Sequence, residues 1–129
     1  MDLDTKLTIL ARLDDIYEKF ISQFDLACEK YCAHCCTANV TMTTLEGARI
    51  FAHLEKTGQR QYLETISKHA HPDRFVPQVT INHLADICAK DGDPPEEHFN
   101  PEAGPCPILE KDACPLYAVR PYGCRCMVS

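Results

Sequence analysis

The sequence predicts a mainly α fold: a small single domain of about four helices, closed by an irregular, cysteine-bearing C-terminal segment with room for a short hairpin. Three observations carry this expectation. Apolar residues step by three and four through the N-terminal quarter, cap and stop signals bracket further short segments, and five prolines plus Gly104 crowd the stretch from Pro94 to Pro107. A length of 129 residues suits one core, so 1–129 is read as one domain, either complete or the amino-terminal part of a longer chain.

Leu3, Leu7, Leu10, Leu13, Tyr17, Phe20, Phe24 and Ala27 describe one long amphipathic helix from about residue 3 to about residue 30. Cys28 and Cys32 continue the Phe24 row. "TTLE" at 43–46 reads as a capping box opening a second helix through about Leu54, stopped near Gly58. "RQYLETISKH" is a third helix, ended before Pro72. "TINHLADICAK" is a fourth, with Thr80 as N-cap and Gly92 just past its end. The proline-rich stretch is an extended connection. "CPILEKDACPLY" allows a hairpin around Lys111 and Asp112, followed by a single turn through "AVRPYGCR". There is no internal repeat.

The charge balance excludes some functions. Thirteen basic against nineteen acidic residues give −6, which argues against a nucleic-acid partner. No apolar run is long enough to span a membrane, and Asp2 and Asp4 spoil the basic start of a signal peptide. With no address visible, a cytoplasmic location is the expectation.

Nine cysteines, about 7% of the chain, fall just short of a small disulfide scaffold, and an odd number cannot pair completely. Cysteine clusters in reducing compartments point to metal or redox chemistry. They form two groups: Cys28, Cys32, Cys35 and Cys36, then Cys106, Cys114, Cys124 and Cys126. The Cys32-to-Cys35 step lets two thiolates converge on one ion. At a helix C-terminus the macrodipole disfavours thiolates, so a compensating positive charge is required, and a metal supplies one. A metal joining both groups would replace core that a small domain lacks. Adjacent Cys35 and Cys36 cannot comfortably share one ion: either one faces elsewhere or more than one metal is held. The later spacings are not those of a zinc ribbon, and four thiolates suit zinc and an iron–sulfur cluster alike. The surplus of cysteines favours iron or iron–sulfur, with zinc as the alternative.

Other candidates have plainer readings. Cys88, on the apolar face with Ile81 and Leu84, is expected to be a buried inert thiol. Cys28 is either a ligand or the last core residue of its helix. Cys126 reads as a surface thiol, His34 as pointing outward, and His69 and His71 as solvated.

"CAHCC" followed by "VTMTTLE", then "CPIL", then "CPLYAVRPYGCR", resembles the cysteine-cluster family described as putative zinc- or iron-chelating domains. The resemblance runs from about residue 28 to 126, with no motif between about 55 and 100. It implies a metal ion as partner and Cys32, Cys35, Cys36, Cys106, Cys114 and Cys124 as ligands. It also matches Thr43 and Glu46 to a T-x2-E step, and Tyr117, Arg120, Pro121 and Arg125 to the closing motif. Glu46, Arg120 and Arg125 would then stand beside the ligands and offset thiolate charge, with Arg120 pairing with Glu46 or a sulfur. Ala33 replaces the family's usual Gly, and Cys126-Met127 replaces its usual closing aromatic. One branch includes flagellin lysine methylases, although neither a methyl-donor site nor a Gly-rich nucleotide loop is legible here. Three classes follow: a redox or metal-handling protein, a structural zinc site in a domain that binds another protein, and an accessory domain of a methylase-like enzyme.

Overall fold

Asp2 starts the first helix by accepting the Thr5 N–H at 2.8 Å and the Thr5 hydroxyl at 2.9 Å. In the computed structural model, which describes residues 1–27 and 32–127, this helix, α1, spans Leu3–Ile21. It is shorter than its apolar period suggests. Ser22 and Gln23 turn their side chains back onto the Lys19 carbonyl, at 2.8 and 3.3 Å, and the chain leaves the helix in a turn. The expected continuation through Phe24 and Ala27 is therefore not made. Cys28 lies outside the described residues.

The buried face of α1 is also rotated from the expected one. Leu10 and Asp14 are buried, with Leu7, Tyr17, Glu18 and Ile21 half-buried beside them. Leu3, Leu13 and Phe20 are instead 53%, 50% and 55% exposed. The carboxylates of Asp14 and Glu18 meet arginines from elsewhere in the chain, and these pairs hold that edge of the helix inward.

The second helix, α2, spans Thr44–Thr57, and its start is the capping box read from "TTLE". Gly58 ends it at φ 69°, a left-handed conformation that suits a residue without a Cβ. Helix α3 follows at Gln61–Lys68. Ile50 and Leu54 of α2, Tyr62 of α3, and Ile108 and Leu116 of the C-terminal segment form the core, with Leu63, Cys106, Cys114 and Val119 packed against it. The core thus lies between the α2–α3 pair and the irregular tail. Tyr62 adds a 2.8 Å hydrogen bond from its hydroxyl to Glu110.

Helix α4, Ile81–Ala89, is capped by Thr80, whose side chain accepts the His83 N–H. It ends with Asp91 at φ 53° and with the Gly92 N–H donating to the Ile87 carbonyl at 2.9 Å. The left-handed residue is thus Asp91 instead of the glycine. No α4 residue is buried, and Cys88 is exposed. This corrects the expectation of a buried thiol: only Leu84 and Ile87 are even half-buried, so the apolar row with Ile81 never meets the core.

The tail is pinned by backbone hydrogen bonds. Glu110 and Ala113 exchange bonds of 2.9 Å each around Lys111 and Asp112, at φ 49° and 64°, which is the tight turn expected there. A 3₁₀ turn at Tyr117–Val119 and the short helix α5, Tyr122–Arg125, replace the single turn. No described helix is long and apolar enough to cross a membrane.

Candidate metal centre

The two cysteine groups meet through the backbone. Thr37 pairs with Pro105 in an isolated bridge, Cys106 N–H donates to the Cys36 carbonyl at 2.9 Å, and Ala38 N–H donates to the Gly104 carbonyl at 3.0 Å. A tight turn, closed by Cys36 N–H on the Ala33 carbonyl at 3.0 Å, sets Cys35 and Cys36 side by side. Cys106 and Cys114 arrive on the tail where it packs on the core, and α5 presents Cys124. Cys35 and Cys124, from opposite ends of the chain, line one cavity of about 360 Å³.

All eight described cysteines are free thiols. Cys36, Cys106, Cys114 and Cys124 are half-buried, while Cys32, Cys35 and Cys126 are exposed. Burial pushes the Cys36 thiol up to about 11, helped by Cys35, Cys114 and Cys106. Burial likewise pushes Cys124 up to about 12, with Cys106, Cys114, Cys36 and Cys35 adding repulsion. Burial raises Cys114 too, opposed by the Leu116 N–H and by the Arg120 charge. Cysteines of both groups thus lie close enough to act on Cys36 and Cys124: Cys106 and Cys114 on Cys36, and Cys35 and Cys36 on Cys124.

The sulfurs share a neighbourhood but not a ready coordination sphere. Among the described residues, no three Cys, His, Asp or Glu side chains are grouped to hold an ion as they stand. Protonated thiols are not metal ligands. Burial, with repulsion from neighbouring cysteines, favours the neutral thiol at Cys36, Cys114 and Cys124 while no cation offsets the charge.

Beside the thiols lies a network of charge. Arg120 donates to the Tyr117 carbonyl at 2.7 Å and to Glu18 at 3.0 Å, and its guanidinium stacks 4.0 Å from the Tyr117 ring centre. Arg125, 5% exposed, bonds Glu18 and sets its Nε 3.3 Å from Asp14, an ion pair without a hydrogen bond. Arg49 bonds Asp14 and donates to the Arg120 carbonyl, the latter at 3.1 Å. Arg120 thus turns inward but pairs with Glu18 and not with Glu46.

Glu46 has a different task. One oxygen accepts the Thr43 N–H at 2.7 Å and the Thr43 hydroxyl at 2.9 Å, while the other accepts the Tyr122 N–H at 2.5 Å. Burial pushes this carboxyl up, but the Thr43 and Tyr122 hydrogen bonds and the Arg49 charge outweigh it and leave the net shift downward. Glu46 therefore fastens the start of α2 to the turn that carries Cys124.

Sequence reasoning missed Asp14, Glu18 and Arg49. One signal was available: Asp14 and Glu18 sit four apart, in step with Leu10 and Tyr17, where polar residues on an apolar row point to buried partners. Tyr17 stacks near Tyr122, with ring centres 5.3 Å apart, and burial together with a Cys126 hydrogen bond pushes its hydroxyl up. Cys126 is accordingly turned toward α1. His34 is exposed, as expected.

The sequence model of the CxxCxxCC family, "Putative zinc- or iron-chelating domain", matches residues 27–129. The pattern in that name would place its first cysteine at 29, where this chain has Glu29, with Cys28 one position earlier. No curated protein and no solved structure matches the chain. With the match covering most of its length, the chain belongs to the CxxCxxCC family.

Proposed function

We propose that this family member binds its metal through thiolates drawn from both ends of the chain, as iron or an iron–sulfur cluster, and serves in redox or metal handling. Cys35, Cys36, Cys106, Cys114 and Cys124 are the central ligands, with Cys32 joining from the exposed edge. One observation carries the reading: the Cys106 N–H bonds the Cys36 carbonyl across seventy residues of sequence, Cys35 and Cys124 from the two ends line one cavity, and cysteines of each group repel the thiols of the other, at Cys36 and at Cys124. Such a set is stable while neutral and becomes a strong donor set once a cation offsets the charge. Iron held by four thiolates would supply one-electron chemistry. The chain's own part is to fix the sulfurs on a backbone-bonded tail, limit water and place Arg120 near Cys114. The more cysteines the site engages, the better it suits a cluster than a single zinc ion.

A second reading has its own support. The cavity beside Cys35 and Cys124 is walled by Val40, Phe75, Phe99 and Pro101 and contains no charged side chain, as an accessory domain with an uncharged substrate would need.

Metal analysis and an absorbance spectrum of protein purified without oxygen test the proposal. An iron–sulfur centre gives a band near about 400 nm that bleaches on reduction, with iron and sulfide in similar amounts. Colourless protein with stoichiometric zinc retires iron. Protein that binds neither metal retires the site.

A further inference from the structure

Helix α1 has two faces, and only one is used. Ile9, Leu13, Ile16 and Phe20 form a second apolar row at steps of four, three and four, and are 42%, 50%, 64% and 55% exposed. Phe24 extends it, in edge contact with Phe20 at 5.1 Å. Near the N-terminal end, Ile9, Leu10 and Leu13 join Leu45 around a hollow of about 160 Å³, the size of a knob from another helix. A contiguous exposed apolar row on so small a protein marks an interaction site.

The borders of the row say what covers it. Lys6 lies on one side, with Arg12 and Lys19 on the other, and no ion pair engages any of them among the described residues. Asp4 lies on the far side of the helix, and Asp15, three positions after Arg12 and four before Lys19, sits behind them, away from the row, and forms an ion pair with neither. A second copy fits the apolar row but not this border: pairing two α1 helices antiparallel sets Arg12 against Lys19 of the other chain, like against like.

We propose that this face of α1 docks an amphipathic helix of a partner protein whose apolar seam is bordered by glutamate or aspartate. The row fixes the register, and the unpaired cations select the partner and speed encounter. The family match begins at residue 27, so this surface lies on an element outside the matched segment, and its use does not depend on the metal reading.

The test uses the full chain and two labelled synthetic helical peptides of about 21 residues. Both carry a Leu/Ile seam, one with Glu borders and one with Lys borders. The Glu peptide is expected to bind at least about tenfold more tightly at low salt, with the difference shrinking as salt rises. Ile16→Glu, at a site too exposed to matter to the fold, should abolish binding. Arg12→Glu with Lys19→Glu should reverse the preference. Equal binding of both peptides, no binding, or binding unaffected by Ile16→Glu overturns the proposal. So does a concentration-dependent dimer of the free chain that Ile16→Glu dissolves, because the occupant would then be a second copy.

Discussion

Replacing Asp14 with alanine should cost more stability than any other single change on α1. The Asp14 side chain is 11% exposed and serves two arginines, Arg49 and Arg125, whose side chains are 12% and 5% exposed. Removing one partner of a buried pair usually costs about 3–5 kcal/mol, because the remaining charge is left unpaired in a poor solvent for it. The upper end is not expected here. Arg125 keeps Glu18, and Arg49 keeps the Arg120 carbonyl at 3.1 Å. That leaves about 3 kcal/mol, which for a chain of this length lowers Tm by about 10–15 °C. Glu18→Ala is the comparison: its side chain is 42% exposed, so solvent screens the loss and about 1 kcal/mol is expected. Urea and thermal unfolding followed by circular dichroism, on metal-free protein, measure both. An Asp14→Ala cost below about 1 kcal/mol, or one smaller than that of Glu18→Ala, would show that the network is not buried as described.

Cys124→Ser should lower metal content and Tm together, whereas Cys88→Ser, on the exposed α4, should change neither; equal metal loss in both, read by elemental analysis, would count against the assignment. Because Cys36 and Cys124 are raised to about 11 and about 12, metal uptake near neutral pH must release protons, and affinity should climb with pH; a titration in weakly buffered solution reads both, and proton-free uptake would exclude thiolate ligation. The same shifts set the pH response of the metal-free fold. Above the ordinary thiol pKa of 9.0 the unfolded chain loses protons that the folded chain keeps, so Tm should fall from about pH 9 toward 11–12 and be insensitive to these thiols below that window. Cys36→Ser with Cys124→Ser should flatten the decline. Arg120→Lys keeps the charge but cannot stack on Tyr117 while also bonding its carbonyl and Glu18; faster loss of metal to a chelator is expected, and unchanged metal retention would reduce Arg120 to a structural role.

What the sequence made legible was local. The capping box at Thr43 and Glu46, the Thr80 cap, the Gly58 stop and the Lys111-Asp112 turn all depend on residues within four positions of one another, and all are present. The family signal was likewise carried by short motifs. What failed depended on distant partners. The long apolar row of α1 could not show that Asp14 would meet Arg49 and Arg125, and Glu18 meet Arg120 and Arg125, and rotate the helix. Cys88 shared a face with Ile81 and Leu84, but whether a face is buried depends on what the fold brings to it, and the described residues leave Cys88 and Ile81 exposed and Leu84 only half-buried. Glu46 was read correctly as a cap; its other oxygen, which holds the Tyr122 N–H, serves a partner 76 positions away.

The span of the Glu18 bonds bears on the order in which the molecule can assemble. Glu18 waits for Arg120 and Arg125, 102 and 107 positions later, so as the chain leaves the ribosome α1 emerges long before its ion-pair partners exist. The α2–α3 pair faces the same delay, because Ile108 and Leu116 complete its core. Until then the nascent chain offers unpaired carboxylates, reactive thiols and an open apolar row. Closing such long loops is slow compared with forming helices. The vulnerable interval for oxidation or aggregation therefore lasts until Arg125 is available to the fold, and a pause just before the Arg120–Arg125 segment emerges should damage yield more than a pause earlier.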